Sequence, residues 1–202
     1  MDIFLQQIIN GLVLGSMYAL VALGYTMVYG IIGLINFAHG EVLMVGAMTS
    51  WSVISIMQDA MPGAPGWLLL ILALLISFVV CGILNFTIER VAYRPLRNAP
   101  RLAPLITAIG VSIVLQNVAM MIWGRQYIPF PAILPSEPIH IGSATFLPVQ
   151  GVIIVLSAVL MGALLLLVHR TKLGRAMRAA AQSPSVARLM GVSVDRVVAS
   201  AF

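Results

Sequence analysis

The 22 residues from Trp67 to Ile88, WLLLILALLISFVVCGILNFTI, carry no charged side chain. A helix needs about 20 apolar residues, each rising about 1.5 Å, to cross roughly 30 Å of hydrocarbon. This run meets that length alone, and Leu102–Gly124 and Val149–Val168 repeat the pattern. Val42–Gln58 is shorter but equally free of charge. Ile3 to Ala38 is 36 residues long, which as one helix is about 54 Å, too long for one upright span and slightly short for two. It reads as a span over Phe4–Met27 followed by a bent or re-entrant piece. Five spans follow, and the expected fold is an all-α, polytopic transmembrane helical bundle.

Composition supports this and excludes soluble classes. The 202 residues are 61% hydrophobic and only 8% charged, with mean hydropathy +1.06. A soluble domain carries about a quarter charged residues to cover its surface. The single cysteine, Cys81, lies in an apolar run, so no disulfide framework or thiolate metal cluster is available. Asp2 is the only charge before His39, and the start lacks the basic region of a signal peptide.

The net charge of +5 is clustered in short loops between apolar runs, which reads as cytoplasmic loops and not as a nucleic-acid partner. Arg90, Arg94, Arg97 and Arg101 form one cluster; Arg170, Lys172, Arg175, Arg178, Arg188 and Arg196 form another. Two spans separate them, so both lie on one side, which the positive-inside rule makes the cytoplasm. Only Arg125 of the eleven basic residues falls elsewhere. Its segment, up to Pro148, contains Pro129, Pro131, Pro135 and Pro138, which forbid continuous helix, so an external, irregular loop is expected there. Counting back puts the N-terminus outside. Gly11, Gly15 and Ala19, and likewise Ala158 and Gly162, repeat at four-residue spacing and offer close helix contacts in lipid.

Two segments are polar where the rest is not. INFAHGE, Ile35–Glu41, separates two apolar runs. It reads either as a surface turn, with Glu41 favourably placed near the N-terminus of the next helix, or as a discontinuity lining a pathway. Asn36, His39 and Glu41 are the pathway candidates in this stretch; Gln116 and Asn117, uncharged polar residues well within a span, join them. The second segment, HRTKLGRAMRAAAQSPSVARLMGVSVDRV, His169–Val197, is too polar to span. Leu173, Met177 and Ala180 share one helical face; Arg175, Arg178 and Gln182 share another. Ser183 is placed as an N-cap with Pro184 at the first helical position. Val186, Ala187 and Met190 give the second helix an apolar side, Gly191 ends it, and Ser193 can cap a third helix. Such a pair suits either an interfacial position on anionic lipid or docking of a cytoplasmic partner. The many alanines favour a flat, closely approachable docking surface.

TKLGRAMRAAAQSPSVARLMGVSVDRV resembles the cytoplasmic loop of permeases in the branched-chain amino acid ABC transporter family. INFAHGE, TAIGVSIVLQN (Thr107–Asn117) and the opening LQQIINGLVLGSMYALVALGYTMVYGIIGLINFAHGE resemble the same family's segments in the same order. The likeness is greatest to the leucine/isoleucine/valine permeases, with urea and amide permeases as near relatives. It implies a permease subunit of the bacterial inner membrane that moves substrate by alternating access. It also implies a second similar permease, two cytoplasmic ATPases holding ATP and magnesium, and a periplasmic solute-binding protein. Residues 170–196 are then the coupling loop, with Arg175, Arg178, Ala180, Pro184, Ala187, Met190 and Gly191 facing the ATPase. Family members are longer, and the chain is expected to be the N-terminal part of one transmembrane domain, with further spans after residue 202.

Other chemistry is not supported. There is no Gly-Lys-Ser/Thr phosphate loop, so ATP is not expected on this chain. His39 and Glu41 are two apart and face different sides of a helix, so no metal or other cofactor is expected here. Gly15-Ser16 and Gly110-Val-Ser112 offer serines that helix packing explains, and the chain does not read as an enzyme. A secondary transporter of small polar solutes is the rival class. It needs ionisable groups within spans, whereas Glu41 and Glu89 fall at span edges.

Overall fold

The computed structural model describes residues 2–33, 36–96, 99–100, 102–131, 133, 139–141 and 144–201. Arg97 and Arg101 of the basic cluster, Pro135 and Pro138 of the outer loop, and Ile35 of the polar break lie outside the described residues. The fold is all-α and polytopic, and five helices are long and apolar enough to cross a membrane. The chain divides into two compact units, one formed by residues 34–133 and the other by residues 1–33 with 134–201.

In the first unit, α2 (His39–Ala60) and α3 (Gly66–Ile88) pair closely, and α4 (Leu102–Trp123) packs on α2. The α2–α3 seam is built from small side chains. Ala73, Ser77 and Cys81 recur every fourth residue on α3, opposite Gly46 and Ser50 of α2. Ser50 and Ser77 share a 2.7 Å hydroxyl hydrogen bond. A Cβ at Gly46 would stand 2.9 Å from the Cys81 sulfur. Close backbone approach of this kind is the usual source of helix association in lipid. The seam is not where the sequence pointed: a Cβ at Gly11, Gly15 or Gly162 meets nothing within 4 Å, and Ala158 is exposed.

Helix α3 does not stop at Ile88. It continues through a π-helical turn, Glu89–Tyr93, and a 3-10 turn, Arg94–Leu96, giving 31 apolar-rich residues from Gly66 to Leu96. Glu89, expected at a span edge, is only 2% exposed. Near the C-terminal end of α4, Trp51 donates to the Pro129 carbonyl at 3.2 Å and Trp123 to Ser52 at 2.8 Å. Gly66 is required where α3 starts, because a side chain there would collide with the Ile133 carbonyl.

In the second unit, α1 (Asp2–Ile32) lies along α5 (Pro148–Arg170). The expectation of a span ending at Met27 and then a bend is corrected: residues 28–32 are the last turns of α1. The helix ends at Gly33, which takes φ +70 and donates to the Tyr29 carbonyl at 2.7 Å. Only glycine enters that region without cost. The loop between α4 and α5, expected to be irregular, is not wholly so. Strands β1 (Ile139–Ile141) and β2 (Ala144–Phe146) form an antiparallel hairpin. Gln6 Oε1 accepts from the Thr145 backbone at 2.9 Å and so ties the hairpin to α1. Three short helices follow: α6 (Lys172–Gln182), α7 (Pro184–Leu189) and α8 (Val194–Ala201).

Candidate functional site

The polar break resolves into two tied ends. Asn36 is 4% exposed, and its Oδ1 accepts from the Ala38 backbone at 3.1 Å, closing a local turn that leads into α2. The same oxygen accepts from the Tyr93 hydroxyl at 2.7 Å. Tyr93 was not singled out from sequence. His39 and Glu41 lie in the first turn of α2, so Glu41 stands near a helix N-terminus as expected. His39 is half-buried.

Glu41 makes the most informative contact. Its Oε1 accepts from Ser112 Oγ at 2.8 Å and from Gln116 Nε2 at 2.7 Å. Ser112 and Gln116 are four residues apart, hence on one face of α4. Ser112 is eleventh and Gln116 fifteenth of the 22 residues of α4, so the carboxylate is level with the middle of a spanning helix. Val42 beside it is level with Cys81, whose thiol faces the Val42 carbonyl at 3.6 Å. Glu41 thus stands at the start of α2, as expected, while its carboxylate reaches the middle of α4.

At the centre of a bilayer a charge costs roughly 3 kcal/mol on insertion scales. Hydrogen bonds to a charged group return about 1.5–3 kcal/mol each, and the first turn of a helix adds a favourable dipole. Two neutral donors thus hold the carboxylate without cancelling its charge. Among the described residues Glu41 has no ion pair. Among them, too, no group of His, Cys, Asp and Glu is arranged to hold a metal.

The sequence candidates therefore sort by geometry. Glu41 and Gln116 are brought together, and Asn36 is turned toward Tyr93. Asn117 bonds back to the Ile113 carbonyl of its own helix at 2.8 Å and takes no part. Ser112, explained from sequence as a packing residue, is a ligand of Glu41. Its four-residue spacing from Gln116 was the available signal.

The loop after α5 has well-defined corners. Thr171 caps α6, accepting from Gly174 N at 3.0 Å. Gly174 is buried, and a Cβ there would collide with the Leu167 and Val168 carbonyls. Ser183 caps α7, accepting from Val186 N at 3.4 Å, with Pro184 first in the helix. Gly191, at φ +82, donates to the Arg188 carbonyl and Val192 to the Ala187 carbonyl, both at 3.0 Å. Those two bonds are a Schellman closure. Helix α8 starts after Ser193, whose carbonyl accepts from Arg196 and Val197.

Two assignments on this loop change. Ala180 is 0% and Ala187 3% exposed, so neither offers the flat outer surface expected of them. With Gly174 and Met177 they form the inner face, against which α8 presents Val194, Val197 and Val198. Leu173, assigned to that face, is exposed. Arg175, Arg178, Pro184 and Gly191 are exposed as well. The outer apolar surface is Val186, Leu189 at 87% and Met190 at 80% exposure, beside Arg188.

A carboxylate held by neutral donors between apolar helices defines the class: a multi-pass, all-α membrane protein with a polar site inside it. The family described as branched-chain amino acid transport system / permease component matches residues 7–202, and the chain belongs to that family. It is 43% identical over 204 residues to the high-affinity branched-chain amino acid transport system permease protein LivH of Escherichia coli (strain K12). The likeness to the protein of the same name from Salmonella typhimurium is also 43%. The permease protein BraD of Pseudomonas aeruginosa is 41% identical over 207 residues. Each alignment covers 98% of this chain and 66% of the relative, so the chain spans about two thirds of their length. No solved structure matches it.

Proposed function

We propose that the chain belongs to a permease subunit of an ATP-driven importer for branched-chain amino acids in a bacterial inner membrane, with its N-terminus outside. A periplasmic binding protein delivers the substrate, a second similar permease completes the pathway, and passage follows alternating access. Two cytoplasmic ATPases bind ATP and magnesium and supply the energy. The names of the relatives support the substrate class.

The observation that carries the ATP-driven reading is the outer face of α7. Both of its ends are capped, its inner face is buried, and Val186, Leu189 and Met190 project outward together. An apolar surface on a rigid cytoplasmic knob suits a protein groove. Residues 170–196 are then the coupling loop, with Arg175, Arg178 and Arg188 at its rim.

Co-purification of the ATPases with the full-length permease tests this. Leu189→Glu or Met190→Glu places an unpaired carboxylate in an apolar contact, and recovery of the ATPases falls by orders of magnitude. Membrane insertion is unchanged. Arg175→Ala and Arg178→Ala act more weakly, through association rate. Normal recovery with both Glu variants returns the loop to the lipid surface. Uptake driven by a proton or sodium gradient without ATP makes the protein a secondary transporter.

A further inference from the structure

We infer that Glu41, with Ser112 and Gln116 behind it, receives the α-ammonium group of the transported amino acid. This rests on the importer reading above and assigns one group of its substrate to one side chain.

Both donors converge on a single oxygen, Oε1, and approach it from α4. Oε2 has no hydrogen bond among the described residues, and Glu41 is half-buried, so the carboxylate is held on one side and open on the other. Ser112 and Gln116 are neutral, so the charge is oriented but not neutralised. A full negative charge level with the middle of α4 demands a cation when water leaves it. An ammonium group offers three donors on a compact charge, and one fits an open carboxylate oxygen. Helix α2 starts only at His39, so Glu41 sits in its first turn, where the helix dipole favours a carboxylate. A zwitterion's own ammonium supplies the cation during passage and removes it on release.

One substitution separates charge from structure. In Glu41→Gln the amide oxygen still accepts from Ser112 and Gln116, so the α2–α4 tie survives and only the charge is lost. The full-length permease is reconstituted in vesicles with its ATPases and binding protein, and leucine uptake and ATP hydrolysis are read together. With Glu41→Gln, leucine moved per ATP falls roughly ten- to hundredfold, the range for one charge-assisted hydrogen bond. Membrane insertion and recovery of the second permease stay at wild-type levels. Two probes identify the group: 3-methylbutylamine, which keeps the ammonium and lacks the carboxylate, inhibits the wild type and not Glu41→Gln. Its counterpart 4-methylpentanoate inhibits neither.

Four results overturn the assignment. Wild-type uptake with Glu41→Gln makes the site a neutral hydrogen-bonding tie. Loss of the second permease makes it a subunit ion pair. Sodium-dependent uptake makes it an inorganic cation site. Equal or absent amine inhibition in the two proteins removes the ammonium. Absence of ATP-driven leucine uptake in the wild type instead sinks the importer reading, so the two failures are distinguishable.

Discussion

The Tyr93 hydroxyl donates to Asn36 Oδ1 at 2.7 Å, joining the π-helical end of α3 to the segment that starts α2. Both residues are buried, at 8% and 4% exposure. The π-turn is what aims Tyr93: five residues per hydrogen-bonded turn shift it round the helix relative to an α-helical continuation. Tyr93→Phe removes one hydrogen bond and leaves the Ala38 contact of Asn36 intact, costing about 1 kcal/mol. Asn36→Ala removes the acceptor of both the Tyr93 hydroxyl and the Ala38 N–H and so opens the local turn, costing about 2–3 kcal/mol. Thermal unfolding of the purified full-length permease in detergent should rank them in that order. Equal midpoints for the two variants and the wild type remove the contact from the stability of this unit.

The corner between α5 and α6 depends on a missing side chain. Gly174→Ala drives a methyl into the Leu167 and Val168 carbonyls and should cost about 1–3 kcal/mol. Gly191→Ala meets open space but keeps a positive φ, so about 1 kcal/mol is expected. Gly11→Ala, with neither constraint, should be neutral in this chain. Limited proteolysis of the loop from α6 to α8 reads the first two. A Gly174→Ala loop as resistant as wild type contradicts the packing.

Ala180 and Leu189 now predict opposite failures. Glutamate at Ala180 buries a charge under α8 and should reduce accumulation of folded permease. Glutamate at Leu189 leaves accumulation unchanged and removes the ATPases. Membrane yield and co-purification, measured in parallel, separate them; matching losses in both assays mean that the two faces are not distinct.

The serine pair in the α2–α3 seam should couple weakly. A double-mutant cycle with Ser50→Ala and Ser77→Ala is expected to give about 0.6 kcal/mol, because hydrogen bonds between membrane helices compete with other partners in the unfolded reference. Unfolding in mild detergent measures it. A coupling energy of zero shows that small size alone, and not the hydroxyl contact, matters at this seam.

Sidedness can be tested at described, exposed positions. On a Cys81→Ala background, a cysteine at Ser185 should react with impermeant reagent only from the cytoplasm, and one at Gln126 only from outside. Labelling of both from one side breaks the span count between them.

What the sequence determined by itself is the part fixed by local rules. Charge-free runs of spanning length gave five helices, because hydrocarbon tolerates no unpaired backbone. Ser183-Pro184 and Gly191 marked the ends of α7, since a cap involves residues within one turn of each other. The lateral arrangement was decided only by tertiary structure. Lipid tails are as apolar as leucine, so hydrophobicity does not say which face of a membrane helix meets another. Glycine and alanine repeats occur on α1 and α5 as well as at the α2–α3 seam, and nothing local distinguishes them. The same limit hid the inner position of Ala180 and Ala187: an alanine face serves an outer contact or an inner one equally well. Glu41 was legible as an exceptional charge, but its meeting with Ser112 and Gln116 spans 71 and 75 residues of chain. That contact depends on the register between α2 and α4, which side-chain packing sets and which no short stretch of sequence contains.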